Sequence, residues 1–249
     1  MNLLKNIFGS AKSETSFDFS SIGVDMHSHL IPSIDDGSKS IEESLELIKN
    51  LKEMGYKKLI TTPHIMADRY KNTPEIINEG LKIIRKTLKD QHVEMEIDVA
   101  AEYLIDDGFL KKMESGKLMT MGDNFLLVEL SYFSEPLNLN SILFELQINN
   151  YKVILAHPER YTYWHDNMDK YQDLYDRGIY LQLNINSLTG WYSKPSRVVA
   201  QKLIDKKLIK FLGSDTHNMV YLNELKKSGF SEYISKAMDS NKIMNFKLA

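Results

Sequence analysis

Five of the seven histidines fall in four short motifs: Asp25-Met26-His27-Ser28-His29, Thr61-Thr62-Pro63-His64, Ala156-His157-Pro158-Glu159-Arg160 and Ser214-Asp215-Thr216-His217. In an extended chain, residues i and i+2 project from the same face. His27 and His29 can therefore approach one ion together while Ser28 points away, and Asp215 with His217 repeats that arrangement. Pro63 fixes the backbone ahead of His64 and leaves its imidazole at a sheet edge. With Asp36, Glu102 and Glu129, the candidate ligands are His27, His29, Asp36, His64, Glu102, Glu129, His157, Asp215 and His217, nine nitrogen or oxygen donors and no sulfur. Such donors suit Mn²⁺, Fe²⁺ or Zn²⁺. They are too many for one tetrahedral zinc site, and two or three ions bridged by shared carboxylates fit the count better. The competing reading is a polar strand rim whose histidines are hydrogen-bonded and hold no metal.

These residues need elements that bring them together. Short runs rich in Val, Ile and Leu occupy 22–26, 58–62, 96–101, 125–130, 152–156, 179–185 and 209–213. Most do not alternate, which is how strands covered on both faces read. Amphipathic stretches lie between them, at about 40–54, 74–89, 107–115, 141–150, 169–177 and 195–206. Strand–helix alternation without a composition break predicts one α/β domain with mostly parallel strands and outer helices. Repeated βα units close naturally into a barrel, here of about seven strands and irregular, with an open doubly wound sheet as the alternative. Chemistry collects at the C-terminal ends of the strands in such folds. The five histidines and four carboxylates named above all sit at those ends.

Composition removes several rivals. The chain of 249 residues contains no cysteine, which excludes disulfides, thiolate zinc sites and a cysteine nucleophile. Its net charge of −3 has both signs well mixed, which argues against nucleic-acid binding through a general positive field. No apolar run reaches the roughly 20 residues that cross a bilayer. Residues 1–21 read as a flexible leader or a short amphipathic docking segment ahead of one domain at 22–249, and the cytoplasm is the expected location.

The order HSH, IDDG, TTPH, the strand ending at Glu102, VELS, AHPERY and GSDTHN resembles the polymerase-and-histidinol-phosphatase (PHP) superfamily. Within it, the chain resembles the bacterial manganese-dependent protein-tyrosine phosphatases of the CpsB/YwqE type, which accompany capsule and exopolysaccharide synthesis. The resemblance covers about residues 22–246. It implies a distorted (β/α)₇ barrel of the PHP type with three metal ions, Mn²⁺ foremost. By motif, His27, His29, Glu102 and Asp215 would hold one ion. Glu102 would bridge to a second, completed by Glu129 and His157, and Asp36, His64 and His217 would hold the third. The implied partner is a tyrosine-phosphorylated protein, a tyrosine autokinase of polysaccharide synthesis, which would bring the enzyme peripherally to the inner membrane. The leader has no counterpart in the motif pattern.

Hydrolysis of a phosphomonoester by metal-activated hydroxide is the reaction this set would perform. Arg160, on the loop of His157, is the expected clamp on the phosphate, and Arg69 is a second candidate. An ion pair of Arg160 with Glu159 is the plainer reading of that arginine. Tyr161, Tyr163 and Trp164 could flank a phosphotyrosine ring, or simply pack. Two alternatives to phosphotyrosine share the ligand set: a small phosphorylated metabolite such as histidinol phosphate, and a phosphodiester. A non-catalytic metal-binding regulator is a further alternative.

Overall fold

The computed structural model describes residues 17–114, 118–228 and 231–248. Its strands are β1 (Val24–Asp25), β2 (Lys58–Thr61), β3 (His64–Ile65), β4 (Glu96–Val99), β5 (Glu102–Leu104), β6 (Phe125–Glu129), β7 (Lys152–Ala156), β8 (Tyr180–Asn184) and β9 (Ile209–Gly213). The helices are α1 (Ile41–Glu53), α2 (Pro74–Asp90), α3 (Asp107–Glu114), α4 (Leu139–Ile148), α5 (Met168–Asp176), α6 (Lys194–Asp205), α7 (Met219–Ser228) and α8 (Glu232–Ser240). All ladders between these strands are parallel, in the orders β1-β2-β4 and β3-β5-β6-β7-β8-β9.

The runs at 58–62 and 96–101 each continue past a break, so seven expected strand segments become nine strands. The physical cause is plain at Pro63, which has no N–H to give to a ladder. There β2 ends, the chain bends, and β3 resumes in the larger sheet. The third run breaks likewise at Ala100-Ala101 between β4 and β5. These bends carry the wall from one sheet into the other. The first and last runs then meet at the rim through a parallel bridge between Ser28 and Thr216. There the His29 N–H donates to the Thr216 carbonyl at 2.9 Å, and the Asp215 N–H donates to the His27 carbonyl at 2.8 Å.

Two apolar cores follow from this wrapping. Val24, Met26, Ile60, Ala100, Phe125, Leu127, Ile154, Ala156 and Phe211 fill one, closed at the foot by Met121 and Leu248. The larger core joins the helices to the outer strand faces, with Leu47, Ile48 and Leu51 of α1 and Ile77, Leu81 and Ile84 of α2 among its members. Local chemistry starts these helices where the amphipathic pattern predicts. The Ser40 hydroxyl accepts from the Glu43 N–H ahead of α1, and Thr73 caps α2, whose first residue is Pro74. Helices α7 and α8 were not singled out by periodicity. Among the described residues, no helix is long and apolar enough to cross a membrane.

Residues 1–16 of the expected leader lie outside the described residues. Its last part is packed: Phe19 is buried against Tyr56, and residues Phe19–Ser21 form a 3₁₀ turn held by the Asp18 carboxylate. The packed chain thus starts ahead of the expected boundary at 22.

At the foot, the buried side chain of Asn245 bridges the first and last strands. Its Nδ2 donates to the carbonyls of Val24 (2.8 Å) and Leu212 (2.7 Å), and its Oδ1 accepts from the Leu212 N–H (3.0 Å). Asn245→Leu keeps the branching and the number of side-chain heavy atoms and removes all three of these hydrogen bonds. It should lower the unfolding free energy by about 3 kcal/mol, measured by urea titration; a change near zero would refute this role for Asn245.

Candidate metal centre

Strand parity explains which side chains reach the rim. Phe125 and Leu127 fill the inner core, and Glu129, on the same face of β6, stands at its end. Tyr180, Gln182 and Asn184 are likewise on one face of β8. His27 and His29 converge as the i, i+2 spacing predicts, with their Nε2 atoms 3.4 Å apart, while Ser28 turns away toward the Ile60 carbonyl.

The structure brings all nine predicted donors together. Four groups have ligand atoms close enough to surround a single ion: His29, Asp36, His64 and His217; His27, His29 and Asp215; His27, Glu102 and His157; and His64, Glu102 and Glu129. Glu102 is central. Its carboxylate lies 3.2 Å from His27 Nε2, 3.4 Å from His29 Nε2, 3.1 Å from His64 Nδ1 and 2.9 Å from His157 Nε2. His157 Nε2 is also 3.9 Å from Glu129. His29 is shared by two groups, whereas the motif reading gave it to one ion.

Partners behind the histidines fix how they face. His27 Nδ1 donates to Gln182 Oε1 (2.9 Å), His29 Nδ1 to Asp35 Oδ2 (2.8 Å) and His217 Nδ1 to the Asp215 carbonyl (2.9 Å). Each leaves Nε2 for the cluster, the arrangement that orients metal-binding imidazoles. In front of them, His64 Nδ1, Glu102 Oε2 and Glu129 Oε1 are buried and have no hydrogen-bond partner among the described residues. Buried polar atoms without partners cost free energy. Lone pairs and carboxylates that converge in this way match the donor set of a divalent cation cluster.

Electrostatics agree. Burial opposes ionisation of Glu102, but His27 and His64 outweigh it and hold the carboxyl well below its usual range. Asp215 is held low in the same way, against burial, by His27 and His217. Burial likewise opposes charge on His27, and Glu102 and Asp215 overcome it, pushing the imidazole up to about 9. The buried carboxylates thus draw positive charge toward the cluster, while burial pushes His157 and His217 down.

Close approach requires glycine at two positions. A Cβ on Gly213 would lie 2.7 Å from Gln182 Nε2 and 2.8 Å from His27 Cβ. One on Gly37, in the IDDG turn, would lie 2.2 Å from the His29 carbonyl oxygen. The backbone is also left-handed at two candidate ligands, His157 (φ 33°) and Asp215 (φ 51°), a conformation unusual for residues with a Cβ.

A cavity of about 240 Å³ opens on the cluster, and both candidate clamps, Arg160 and Arg69, line it. Arg160 does not pair with Glu159. Its guanidinium lies between the rings of Tyr132 (4.6 Å) and Tyr192 (4.1 Å) and meets Asp215 at 3.2 Å. Glu159 is buried on the other side, accepting from the Asn184 N–H and the Ser187 hydroxyl. Arg69 lies over the Tyr70 ring. Tyr161, Tyr163 and Trp164 pack. Tyr161 is fully buried with its hydroxyl on the Ala156 carbonyl, Tyr163 stacks on it, and Trp164 bonds Glu135. The aromatic walls are instead Tyr70, Tyr132, Phe133 and Tyr221.

Several supporting residues escaped the sequence reading. Asp35 appeared only as part of a signature, yet it accepts from His29, the His64 N–H and the Gly37 N–H. Gln182 and Asn184 carry a legible signal, since they alternate with Leu181 and Leu183 in a strand otherwise read as buried on both faces. Asp25 lies one residue before Met26-His27 and accepts from both the N–H and the hydroxyl of Ser214.

The chain is similar to CapC of Staphylococcus aureus, 29% identical over 215 residues that cover 86% of this chain and 84% of CapC. It is also similar to the tyrosine-protein phosphatase YwqE of Bacillus subtilis, 26% identical over 197 residues, 79% of this chain and 78% of YwqE. Its fold matches a solved structure of the metal-dependent tyrosine phosphatases YwqE from Bacillus subtilis and CpsB from Streptococcus pneumoniae. That match has a TM-score of 0.75 at 24% identity and covers 89% of this chain and 95% of the other.

The Gly37 contact generates a direct test. Gly37→Ala should cost about 1–3 kcal/mol of stability, read by chemical unfolding, because the turn must move off His29; a stability equal to that of the wild type would contradict the packing described. The family model for capsular polysaccharide synthesis, CpsB/CapC, matches residues 23–245, and the chain belongs to that family.

Proposed function

We propose that this chain is a metal-dependent protein-tyrosine phosphatase that acts on a tyrosine kinase of capsule or exopolysaccharide synthesis. The observation that carries the reading is the meeting of nine imidazole and carboxylate donors, seven of which line one cavity together with Arg160. Membership of the capsule family and similarity to relatives named as tyrosine-protein phosphatases support the choice of substrate. Absence of cysteine removes the thiolate route.

His27, His29, Asp36, His64, Glu102, Glu129, His157, Asp215 and His217 are the ligands in this proposal, with Mn²⁺ preferred and Fe²⁺ or Zn²⁺ as the other candidates. Bound divalent ions supply Lewis acidity, charge neutralisation and activation of water near neutral pH. The protein's own part is positioning. Arg160, stacked between Tyr132 and Tyr192, presents N–H groups to phosphoryl oxygens and stabilises the charge that develops on them. Arg69 adds a second cation at the mouth. Tyr70, Tyr132 and Tyr221 offer ring faces and edges to a tyrosyl side chain. The phenolate released has a pKa near 10, so the reaction does not demand a dedicated acid. The enzyme's place is the cytoplasm, at the inner membrane when its partner holds it there.

Four measurements test this reading. The protein loaded with Mn²⁺ should hold two to three ions per chain by elemental analysis, about the number the donor count allows; fewer than one would defeat it. Chelation should abolish turnover of p-nitrophenyl phosphate and of a phosphotyrosyl peptide, and Mn²⁺ should restore both. Activity indifferent to chelator would refute the metal mechanism. Arg160→Lys should lower kcat/KM on the peptide by about 10²-fold, because a point charge cannot replace the bidentate fork. Turnover of histidinol phosphate alone would overturn the substrate assignment and leave the metal site standing.

A further inference from the structure

The segment after β6, residues 131–138, is anchored at several points. The Tyr163 hydroxyl donates to the Ser131 carbonyl (2.9 Å), Trp164 Nε1 donates to Glu135 Oε2 (2.7 Å), and Lys170 Nζ donates to Glu135 Oε1 (2.6 Å). The Phe133 N–H donates to Ser131 Oγ at 3.2 Å, and the Tyr132 ring stacks on His157 with centroids 5.8 Å apart. Yet this tethered loop holds two large apolar side chains in water, Phe133 at 96% and Leu137 at 108% relative exposure.

Phe133 also lines the cavity, together with Ser131 and Tyr132. It is therefore both a wall and a lip of the same opening. On a second stretch of rim, Tyr221 lines the cavity, Trp191 meets it edge to face at 6.0 Å, and Trp191 and Val220 are exposed. The entrance to a deeply polar cluster is thus edged by apolar surface. The exposure of single hydrophobic residues is ordinary. Exposure on a pinned loop that opens directly onto the reacting centre is what marks an interaction surface.

We propose that Phe133 at the cavity mouth, with Leu137 on the same tethered loop, forms a docking lip for an extended substrate segment that carries a large apolar side chain beside the phosphotyrosine. This deepens the phosphatase reading and rests on it. With the tyrosyl ring in the cavity, neighbouring residues leave over the rim at about 3.3 Å per residue, so a side chain one or two positions away reaches Phe133. A second copy of the chain is the rival occupant, because Leu137 precedes α4, which carries the exposed Phe144 and Ile148. A copy seated on Phe133 would cover the mouth through which substrate must enter, which favours the peptide.

The experiment compares kcat/KM for two phosphotyrosyl peptides, one with Leu and one with Ser flanking the phosphotyrosine, each divided by kcat/KM for p-nitrophenyl phosphate. The wild type should prefer the Leu peptide by about tenfold, the scale of burying part of one apolar side chain. Phe133→Ser and Leu137→Ser should erase that preference. Phe246→Ser, exposed next to Asn245 at the foot of the strands, should keep it. Equal use of both peptides by the wild type, or a preference intact in both lip variants, overturns the proposal. So does a dimer, seen by light scattering, that Leu137→Ser abolishes with the preference unchanged. Lack of turnover on all three substrates refutes the phosphatase activity, and the lip with it.

Discussion

The fixed point of this structure is negative charge held out of water. Glu102, Glu129, Asp215 and Asp35 are buried within one rim, and isolated buried carboxylates are too costly to keep without cations close by. The imidazoles around them answer that demand unequally: His27, His29 and His64 are pushed up, whereas burial pushes His157 and His217 down. His29, like His27, is pushed up against the cost of burial, chiefly by Asp35. Protons complete neither the charge nor the geometry, since buried atoms of His64, Glu102 and Glu129 remain without hydrogen bonds among the described residues. Divalent ions would satisfy both.

The rest of the fold keeps those charges in register. Asp25 and Ser214 tie the first strand to the last beside the candidate ligands they carry, and the Ser28–Thr216 bridge closes the same seam. Gly213 and Gly37 have no side chain because His27, Gln182 and the His29 carbonyl stand where one would be. Left-handed backbone at His157 and Asp215 spends stability where function needs an unusual direction, a pattern expected at sites rather than in cores. Arg160 connects this framework to the cavity. It touches the candidate ligand Asp215 and is flanked by two tyrosine rings, so its position depends on the same charge balance.

Much of this was legible in the sequence, for a definite reason. Ligands of a parallel βα fold lie at strand ends, and strand ends are marked by short Val, Ile and Leu runs that stop at polar residues. The position of His27, His29, His64, His157 and His217 at such stops made their convergence readable. The breaks in the second and third strands were less so: Pro63 announces one, whereas Ala100-Ala101 carries no such mark. The pairing of Arg160 could not be read from neighbours in sequence, because Asp215, Tyr132 and Tyr192 come from three other loops. Tyr161 and Trp164 were misleading for the same reason, since adjacency to Arg160 along the chain says nothing about which side of the strand end a ring occupies.

The nine donors are arranged to enclose cations, and anomalous scattering from a crystal grown with Mn²⁺ tests this most directly. Two or three peaks among Glu102, Asp215 and the five histidines, with side chains close to the arrangement described, are the predicted result. A map without peaks there, or peaks elsewhere with the imidazoles turned apart, would contradict it.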